Sequence, residues 1–203
     1  MYKQIKFKLT GVSPLLMHNG QLADPLNPIV KEMKRITSKG SKKTDDDYRL
    51  LSDLEWLGSL YTSEPIEVSI NGSVQVTGGG HLCIPPENLE AALILGGKKS
   101  RRGDAFKSGQ FVEVASRLLH GGPPIKEMLA KPGYRDIRGV RVQRNRVMRT
   151  RPIFRQWGAE VEIQYLPSIL NESHIIDAMA TVGTIIGIGD NRPKFGRFTA
   201  EAL

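Results

Sequence analysis

The amino-acid sequence predicts an α+β protein with a ferredoxin-like, RRM-like βαββαβ core that carries insertions. Three observations predict it: an opening strand pattern, a helix followed by a hairpin signal, and a strand–helix–strand pattern at the end. With 203 residues, 39% of them hydrophobic, the chain is long enough to bury one sizeable core. We therefore expect a single domain over residues 1–203, with insertions at about 12–43 and 98–133.

The first half of the chain predicts a strand, two helices and a hairpin. Ile5, Phe7 and Leu9 alternate with lysines, which indicates a half-buried strand over residues 2–10. A connection rich in glycine and proline leads to a helix over residues 29–36. Thr44 precedes three aspartates and a leucine pattern of helical spacing, so it is expected to cap a helix over residues 44–61. Alternating residues on both sides of Asn71-Gly72 predict a hairpin.

The second half predicts shorter elements. A helix should begin after Pro85-Pro86 and stop at Gly96-Gly97, just before the basic run of Lys98, Lys99, Arg101 and Arg102. The remaining expected elements are strands over residues 106–114 and 116–119, a short helix over 124–130, a strand pattern over 134–148, a strand over 159–165, a helix from Asn171 to about Ile186 and a last strand over 195–200.

The charge distribution favours a polyanionic partner. The chain carries +8 at pH 7, and residues 135–155 alone hold eight arginines against one acidic residue, Asp136. A solvated charged surface usually mixes both signs, whereas arginine grips phosphate with two hydrogen bonds and stacks on bases. This stretch therefore predicts contact with nucleic acid.

Several classes of protein are disfavoured. The single cysteine, Cys83, cannot form an internal disulfide or a zinc knuckle. No apolar run approaches the ~18 residues that a bilayer span needs, and the first residues do not form a signal-peptide core, so we expect a cytoplasmic protein without a membrane partner. The Gly-x-Ser-x-Gly, His-Glu-x-x-His and complete Walker motifs are absent. The histidines, at positions 18, 81, 120 and 174, are too scattered for a metal cluster, so no metal or cofactor is expected.

Two residues in the loop after the first strand are weak catalytic candidates. An imidazole at His18 could act as general base on a ribose 2′-hydroxyl in metal-free RNA cleavage. Asp24 could hold a divalent ion or orient a water, although Asp24-Pro25 is also an ordinary start of a turn. Loop histidines are common, so the structural role of each is the simpler interpretation.

Three segments together resemble the RAMP superfamily, a CRISPR-associated family of RNA-binding proteins. Residues 9–20, Leu-Thr-Gly-Val-Ser-Pro-Leu-Leu-Met-His-Asn-Gly, are similar to the strand and glycine turn that open these proteins. Residues 84–93, Ile-Pro-Pro-Glu-Asn-Leu-Glu-Ala-Ala-Leu, look like the family's Ile-Pro-Gly-Ser-Ser-Leu-Lys-Gly-Ala-Leu helix entry, with Pro86 in place of the usual glycine. Residues 187–198 resemble its C-terminal glycine-rich loop, which runs into a closing strand.

This resemblance implies an RRM-like core that binds guide RNA (crRNA), most like the backbone subunit that polymerises along it in effector complexes of antiviral defence. A phage-encoded relative would share these properties. Backbone subunits that cut target RNA carry an acidic residue before an Asn/Ser-Pro-Val-Ile-Lys segment, whereas this chain has Leu26 before Asn27-Pro28-Ile29-Val30-Lys31. The matching carboxylate is absent, and Asp24, two positions earlier, would replace it only if the loop shifts, so the resemblance implies an RNA-binding protein first and a nuclease second.

A backbone subunit must hold phosphates without reading bases, which requires arginines and exposed backbone amides. The expected nucleic-acid-binding residues are Arg138, Arg141, Arg144, Arg146, Arg149, Arg151, Gly187, Gly189, Arg192, Lys194, Gly196 and Arg197. Expected partners are guide RNA, further copies of the chain, other effector subunits and target single-stranded nucleic acid. Two alternatives stay open: a metal-independent endoribonuclease that uses His18, and a single-stranded DNA-binding protein, which the low aromatic content of 6% disfavours.

Overall fold

The structure is a computed structural model that describes residues 1–71, 73–142 and 145–203, with Val142 and Asn145 described by their backbone alone. Arg144, one of the expected phosphate contacts, lies outside the described residues. The predicted α+β class is confirmed. Within the described part of the chain, no helix has both the length and the apolar composition needed to cross a membrane.

The described elements are numbered here in chain order. The strands are β1 (Lys3–Gly11), β2 (Leu15–Leu16), β3 (Ile66–Ile70), β4 (Val74–Gly78), β5 (Cys83–Ile84), β6 (Gln110–Phe111), β7 (Ser116–Leu119), β8 (Arg135–Val142), β9 (Asn145–Phe154), β10 (Gly158–Tyr165) and β11 (Phe198–Ala202). The helices are α1 (Pro28–Thr37), α2 (Asp45–Gly58), α3 (Pro86–Lys99), α4 (Gly103–Gly109), α5 (Ile125–Leu129) and α6 (Glu172–Thr181), which continues as a π-helical turn over Val182–Ile186.

The chain forms two compact units. Unit 1 comprises residues 1–16, 81–121 and 154–203, and unit 2 comprises residues 17–80 and 122–153. The stretches that build unit 2 overlap only in part with the insertions expected at 12–43 and 98–133. Each unit buries apolar side chains of its own, among them Phe7 and Ile163 in unit 1 and Trp56 and Leu57 in unit 2.

Unit 1 is a sheet with helices on one side. The strand order is β11–β1–β10–β7–β5, each neighbouring pair is antiparallel, and β6 also pairs with β10. Ile5, Phe7 and Leu9 of β1 are buried, as their alternation predicts. α3 packs against α4, α6 and the π-helical turn, while α6 and this turn contact β11, and α4 contacts β6.

Unit 2 is built around α2. Thr44 caps this helix in a capping box with Asp47, because the Thr44 hydroxyl accepts from the Asp47 amide and the Asp47 carboxylate accepts from the Thr44 amide. α1 and α5 pack against α2. The antiparallel strand pair β3–β4 confirms the hairpin predicted around Asn71-Gly72, with Ile70 opposite Val74; Gly72 itself lies outside the described residues. A second antiparallel pair, β8–β9, carries the arginine-rich segment.

Two local predictions are wrong. The helix expected to stop at Gly96-Gly97 continues to Lys99, because these glycines serve close packing: a Cβ would lie 2.8 Å from the Ala178 carbonyl oxygen at Gly96 and 2.3 Å from the Phe106 ring at Gly97. The strand expected over residues 106–114 is instead α4 followed by the short β6. Phe106 is fully buried against Gly97 of α3, and this packing favours a helix where the sequence pattern predicts a strand.

The other predicted elements are present with small shifts at their ends. The expected strand pattern over residues 134–148 is in fact a hairpin, β8–β9, that extends to Phe154. α2 ends at Gly58 rather than at residue 61, and β11 begins at Phe198 rather than at residue 195, because the preceding residues belong to the glycine-rich loop.

Candidate nucleic-acid interface

The arginine-rich segment of unit 2 is a two-stranded ribbon, β8–β9, whose register sorts its arginines between two faces. Asp136 lies opposite Arg151 and Arg138 opposite Arg149 on one face. Arg141 lies opposite Arg146 on the other face. Arginines that look equivalent in the sequence therefore occupy different environments.

The first face of the ribbon is held by an internal ion-pair cluster around Asp136. This carboxylate is buried, contacts the Arg138 guanidinium and lies 3.3 Å from Nη2 of Arg151. Arg151 is only 5% exposed, so a phosphate cannot reach it without rearrangement of the ribbon. Arg138 and Arg151, both expected to bind phosphate, thus have a role in holding the ribbon itself.

α2 fixes the base of the ribbon. The buried Glu55 accepts from Nη1 of Arg149 at 2.7 Å and from the Thr150 amide at 2.8 Å. The Trp56 indole N–H donates to the Tyr134 carbonyl at 2.8 Å, and Arg135 pairs with Asp53. These contacts explain why Arg149 faces the helix, and they make the base of the ribbon a rigid platform.

Away from its base, where Thr150 is buried against Ser52, the second face of the ribbon is exposed and combines cations with apolar side chains. Arg141 and Arg146 are exposed in directly opposite positions, and Ile137 and Met148 on the same face are 56% and 64% exposed. Two guanidinium groups in directly opposite positions form a surface that suits an anionic group such as a phosphate. The sequence analysis did not identify Ile137 and Met148 as candidate contact residues. The alternation of side chains along a strand could have identified them, because it places them on the same face as Arg141 and Arg146.

A groove of about 510 Å³ adjoins the base of this exposed face within unit 2. Its lining includes Tyr48 and Arg49 from α2, Leu129 from α5, and Arg135 and Ile137 from the ribbon. Tyr48 is 57% exposed and lies under the Lys43 ammonium, 5.8 Å from the ring centroid. The groove thus adds an aromatic ring to the cationic and apolar surface of the ribbon.

The glycine-rich loop of unit 1 depends on its glycines for backbone geometry. Gly187, Gly189 and Gly196 have φ values of +75°, +76° and +73°. A Cβ at Gly196 would lie 1.8 Å from the Ile188 carbonyl oxygen, and one at Gly189 would lie 2.5 Å from the Leu16 carbonyl oxygen. The loop is therefore folded tightly on itself and on the end of β2.

Several amides of the loop, that of Gly196 among them, already donate to other groups of the protein, so these particular amides are not exposed for phosphate as expected. The Ile188 amide donates to the Gly196 carbonyl, and the Asp190 amide donates to the Leu16 carbonyl, both at 2.9 Å. The Gly196 amide donates to the Pro14 carbonyl at 2.8 Å, and the Arg197 amide to the Ser13 hydroxyl at 2.9 Å. What the loop presents outward is its cations, since Arg192, Lys194 and Arg197 are all exposed.

The centre of the open face of the unit 1 sheet is a poor surface for nucleic acid. Lys6 pairs with Glu162 at 3.2 Å, and Lys8 lies opposite both Glu160 and Glu201 in the strand register. The centre of this face therefore has three carboxylates against two ammonium groups. A stacked base needs an aromatic or other flat apolar platform, and the exposed aromatic rings of this face, Tyr2 and Phe111, lie at one end of it rather than at its centre.

The two catalytic candidates, His18 and Asp24, both take part in local hydrogen bonds within unit 2. His18 is half-buried, with Nδ1 3.4 Å from the hydroxyl of the fully buried Ser59, and its carbonyl accepts from the Tyr61 hydroxyl at 3.1 Å. Asp24 is exposed, and its carboxylate accepts from the Leu26 amide at 2.8 Å, as in an Asx turn. Among the residues that the structure describes, no group of three or more His, Cys, Asp and Glu side chains could hold a metal ion.

In comparisons with known proteins, the chain matches no family model and no curated protein sequence.

Proposed function

We propose that this protein is a non-catalytic RNA-binding protein of the RAMP type that holds guide RNA through its phosphate backbone. The observation that carries the proposal is the exposed face of the ribbon, where Arg141 and Arg146 lie opposite each other beside the apolar Ile137 and Met148. Guanidinium groups bind phosphates and stack on unstacked bases, and the apolar side chains beside them offer contact to sugars. Such a surface holds a strand without reading the edges of its bases.

The strand order of unit 1 supports a ferredoxin-like core. Taking β1, β7, β10 and β11 as the four strands of a βαββαβ unit, α3 connects the first two and α6 the last two. In the sheet, β1 lies between β11 and β10, and β7 lies on the other side of β10. Each of these neighbouring pairs is antiparallel. This arrangement is the one expected of the motif. The centre of the open face of the sheet carries more carboxylates than ammonium groups, which supports RNA contact through the ribbon and the loop cations instead.

The ribbon is tested by measuring RNA affinity as a function of salt. The binding constant of a random-sequence single-stranded RNA is measured by fluorescence anisotropy over a range of ionic strengths, for the unmodified protein and for R141A/R146A. Each phosphate contact contributes about 0.7 to the slope of log K against log salt for single strands. We expect the double variant to bind more weakly to unrelated sequences and to flatten the slope by about 1.4.

A matched control removes two exposed cations of unit 2 that lie outside the ribbon, in the variant R35A/K126A. It should change the slope less than R141A/R146A does. Failure of the unmodified protein to bind RNA at low ionic strength would overturn the proposed function. Equal or tighter binding to single-stranded DNA would favour the DNA-binding alternative, and cleavage in the presence of chelator that His18→Ala abolishes would favour the nuclease.

A further inference from the structure

Unit 1 contains a groove that brings two basic segments together from distant parts of the chain. The groove measures about 490 Å³ and is lined by the end of α3, the π-helical turn and the glycine-rich loop. Its lining residues are Leu95, Lys98, Lys99, Ile185, Ile186, Arg192 and Pro193. The basic run that follows Gly96-Gly97 thus faces the same space as the first cation of the glycine-rich loop.

We propose that this groove is an RNA-binding site separate from the ribbon, with Lys98, Lys99 and Arg192 on phosphates and Leu95 and Ile185 against the sugars and bases. The inference rests on the proposed function, because it assigns RNA as the ligand. It goes beyond that function by adding a site on the helical side of unit 1 and residues from α3 and the π-helical turn.

The charges of the groove indicate an anionic ligand. Its lining has three cations and no carboxylate. Within the described chain, no ion pair links Lys98, Lys99 or Arg192 to an acidic side chain. The negative end of the α3 dipole accounts for lysines in the last helical turn, but it does not account for Arg192, which belongs to a loop. The convergence of the two segments is therefore best explained by a shared ligand.

The apolar part of the groove is also unusual. Ile185 is 55% exposed and Leu95 is 37% exposed, so both leave apolar surface in water. Ile185 and Ile186 both line the groove and belong to a π-helical turn. In such a turn the backbone hydrogen bonds join residues i and i+5, whereas in an α-helix they join residues i and i+4. π-Helical segments recur at functional sites because they re-aim side chains at the cost of regular helix geometry. Here the turn adds apolar side chains to a groove that is also lined by cations.

The side chains of the groove favour a nucleic-acid strand over an acidic peptide. They offer cationic donors and apolar surface but no acceptor. A peptide brings one N–H donor per residue that these side chains cannot satisfy, at a cost when the donor is buried. A single-stranded RNA brings phosphate acceptors to the cations and base or sugar faces to the apolar residues. The same composition predicts binding without preference for sequence.

The test compares K98A/K99A/R192A with the unmodified protein and with K3A/K8A/K107A, in which three other exposed lysines of unit 1 are removed. The salt dependence of binding to a random-sequence single-stranded RNA is measured by fluorescence anisotropy, and circular dichroism confirms that each variant is folded. Three lost phosphate contacts should flatten the slope by about 2, more than the control does. In parallel, 4-thiouridine RNA is photocrosslinked to the unmodified protein and the modified peptides are mapped.

Crosslinks on peptides that contain residues 95–99 or 185–193, together with the flattened slope, support the groove. If the unmodified protein binds RNA but the triple variant matches its control, and no crosslinks map to these peptides, the groove inference fails while the proposed function stands. Failure of the unmodified protein to bind RNA overturns both. Competition of RNA binding by an excess of poly-glutamate, with no crosslinks in the groove, would favour an acidic protein partner and also overturn the inference.

Discussion

At the scale of single residues, the arginines of the ribbon divide into those that stabilise the fold and those that are exposed to a ligand. Arg151 is buried against Asp136, whereas Arg146 is exposed. A buried charge that loses its partner is costly, while an exposed cation contributes little to stability. The two kinds of arginine should therefore be separable by experiment.

We predict that Arg151→Ala lowers the free energy of unfolding by about 2–3 kcal/mol, because Asp136 would stay buried with Arg138 as its remaining partner. Arg146→Ala should change it by less than about 0.5 kcal/mol and act on RNA affinity instead. Urea unfolding followed by circular dichroism measures both variants. A neutral effect of Arg151→Ala would contradict the internal role of this ion pair.

A second residue-scale prediction concerns His120 in unit 1. Burial lowers the pKa of this imidazole below its usual value of about 6.5, and the Arg117 charge lowers it further. Between the lowered and the usual pKa, the unfolded chain binds more protons than the folded protein, so stability falls as the pH drops through this range. Replacing the histidine with an uncharged residue should remove that part of the pH dependence.

The measurement compares the unfolding free energy at pH 7.5 and pH 5 in the unmodified protein and in His120→Gln. We expect the variant to lose less stability on acidification than the unmodified protein loses. An identical loss in both proteins would show that other groups determine this pH dependence.

At the scale of elements, periodicity and capping signals predicted the structure correctly where it is determined by residues close together in the sequence. The Thr44 cap with three following aspartates and the Asn71-Gly72 hairpin signal both specify local hydrogen bonds, and both predicted elements are present. The end of α3 was not predictable in the same way. Considered alone, Gly96 and Gly97 predict the end of the helix. In the structure they instead allow close packing against Ala178 and Phe106, and a sequence pattern does not show these contacts.

The candidate site was predictable in composition but not in detail. The concentration of arginines marked the ribbon, and the glycine spacing marked the loop. Which arginines are buried depends on Asp136 and on Glu55 of α2, and this pairing has no sequence signal. Similarly, the glycines indicated a tight loop, but only the hydrogen bonds of Ile188, Asp190 and Gly196 show that its amides are already used.

The glycine-rich loop gives a prediction at this scale. Gly196→Ala combines a positive φ with a clash against the Ile188 carbonyl oxygen, so it should lower the free energy of unfolding by about 3 kcal/mol. Gly20→Ala is the matched control, because a Cβ at that position meets no atom within 4 Å. Thermal and urea unfolding of both variants test the prediction, and equal stability would contradict the tight loop.

At the scale of the whole molecule, a protein that binds phosphates without reading bases has no preferred register on a strand. Each copy can bind beside the previous one, and the number of bound copies should increase with the length of the RNA. This property would let the chain act as a repeated subunit along guide RNA, in keeping with the proposed function.

We predict that the number of copies per RNA, measured by mass photometry on single-stranded RNAs of increasing length, rises in proportion to that length. At saturating protein, electron micrographs of the longest complexes should show rows of adjacent copies, because binding without a preferred register fills a strand until no gap is wide enough for another copy. R141A/R146A should require lower salt to reach the same occupancy, since two phosphate contacts are lost from every copy. A single copy on RNAs of every length would instead indicate one specific binding site and contradict repeated assembly.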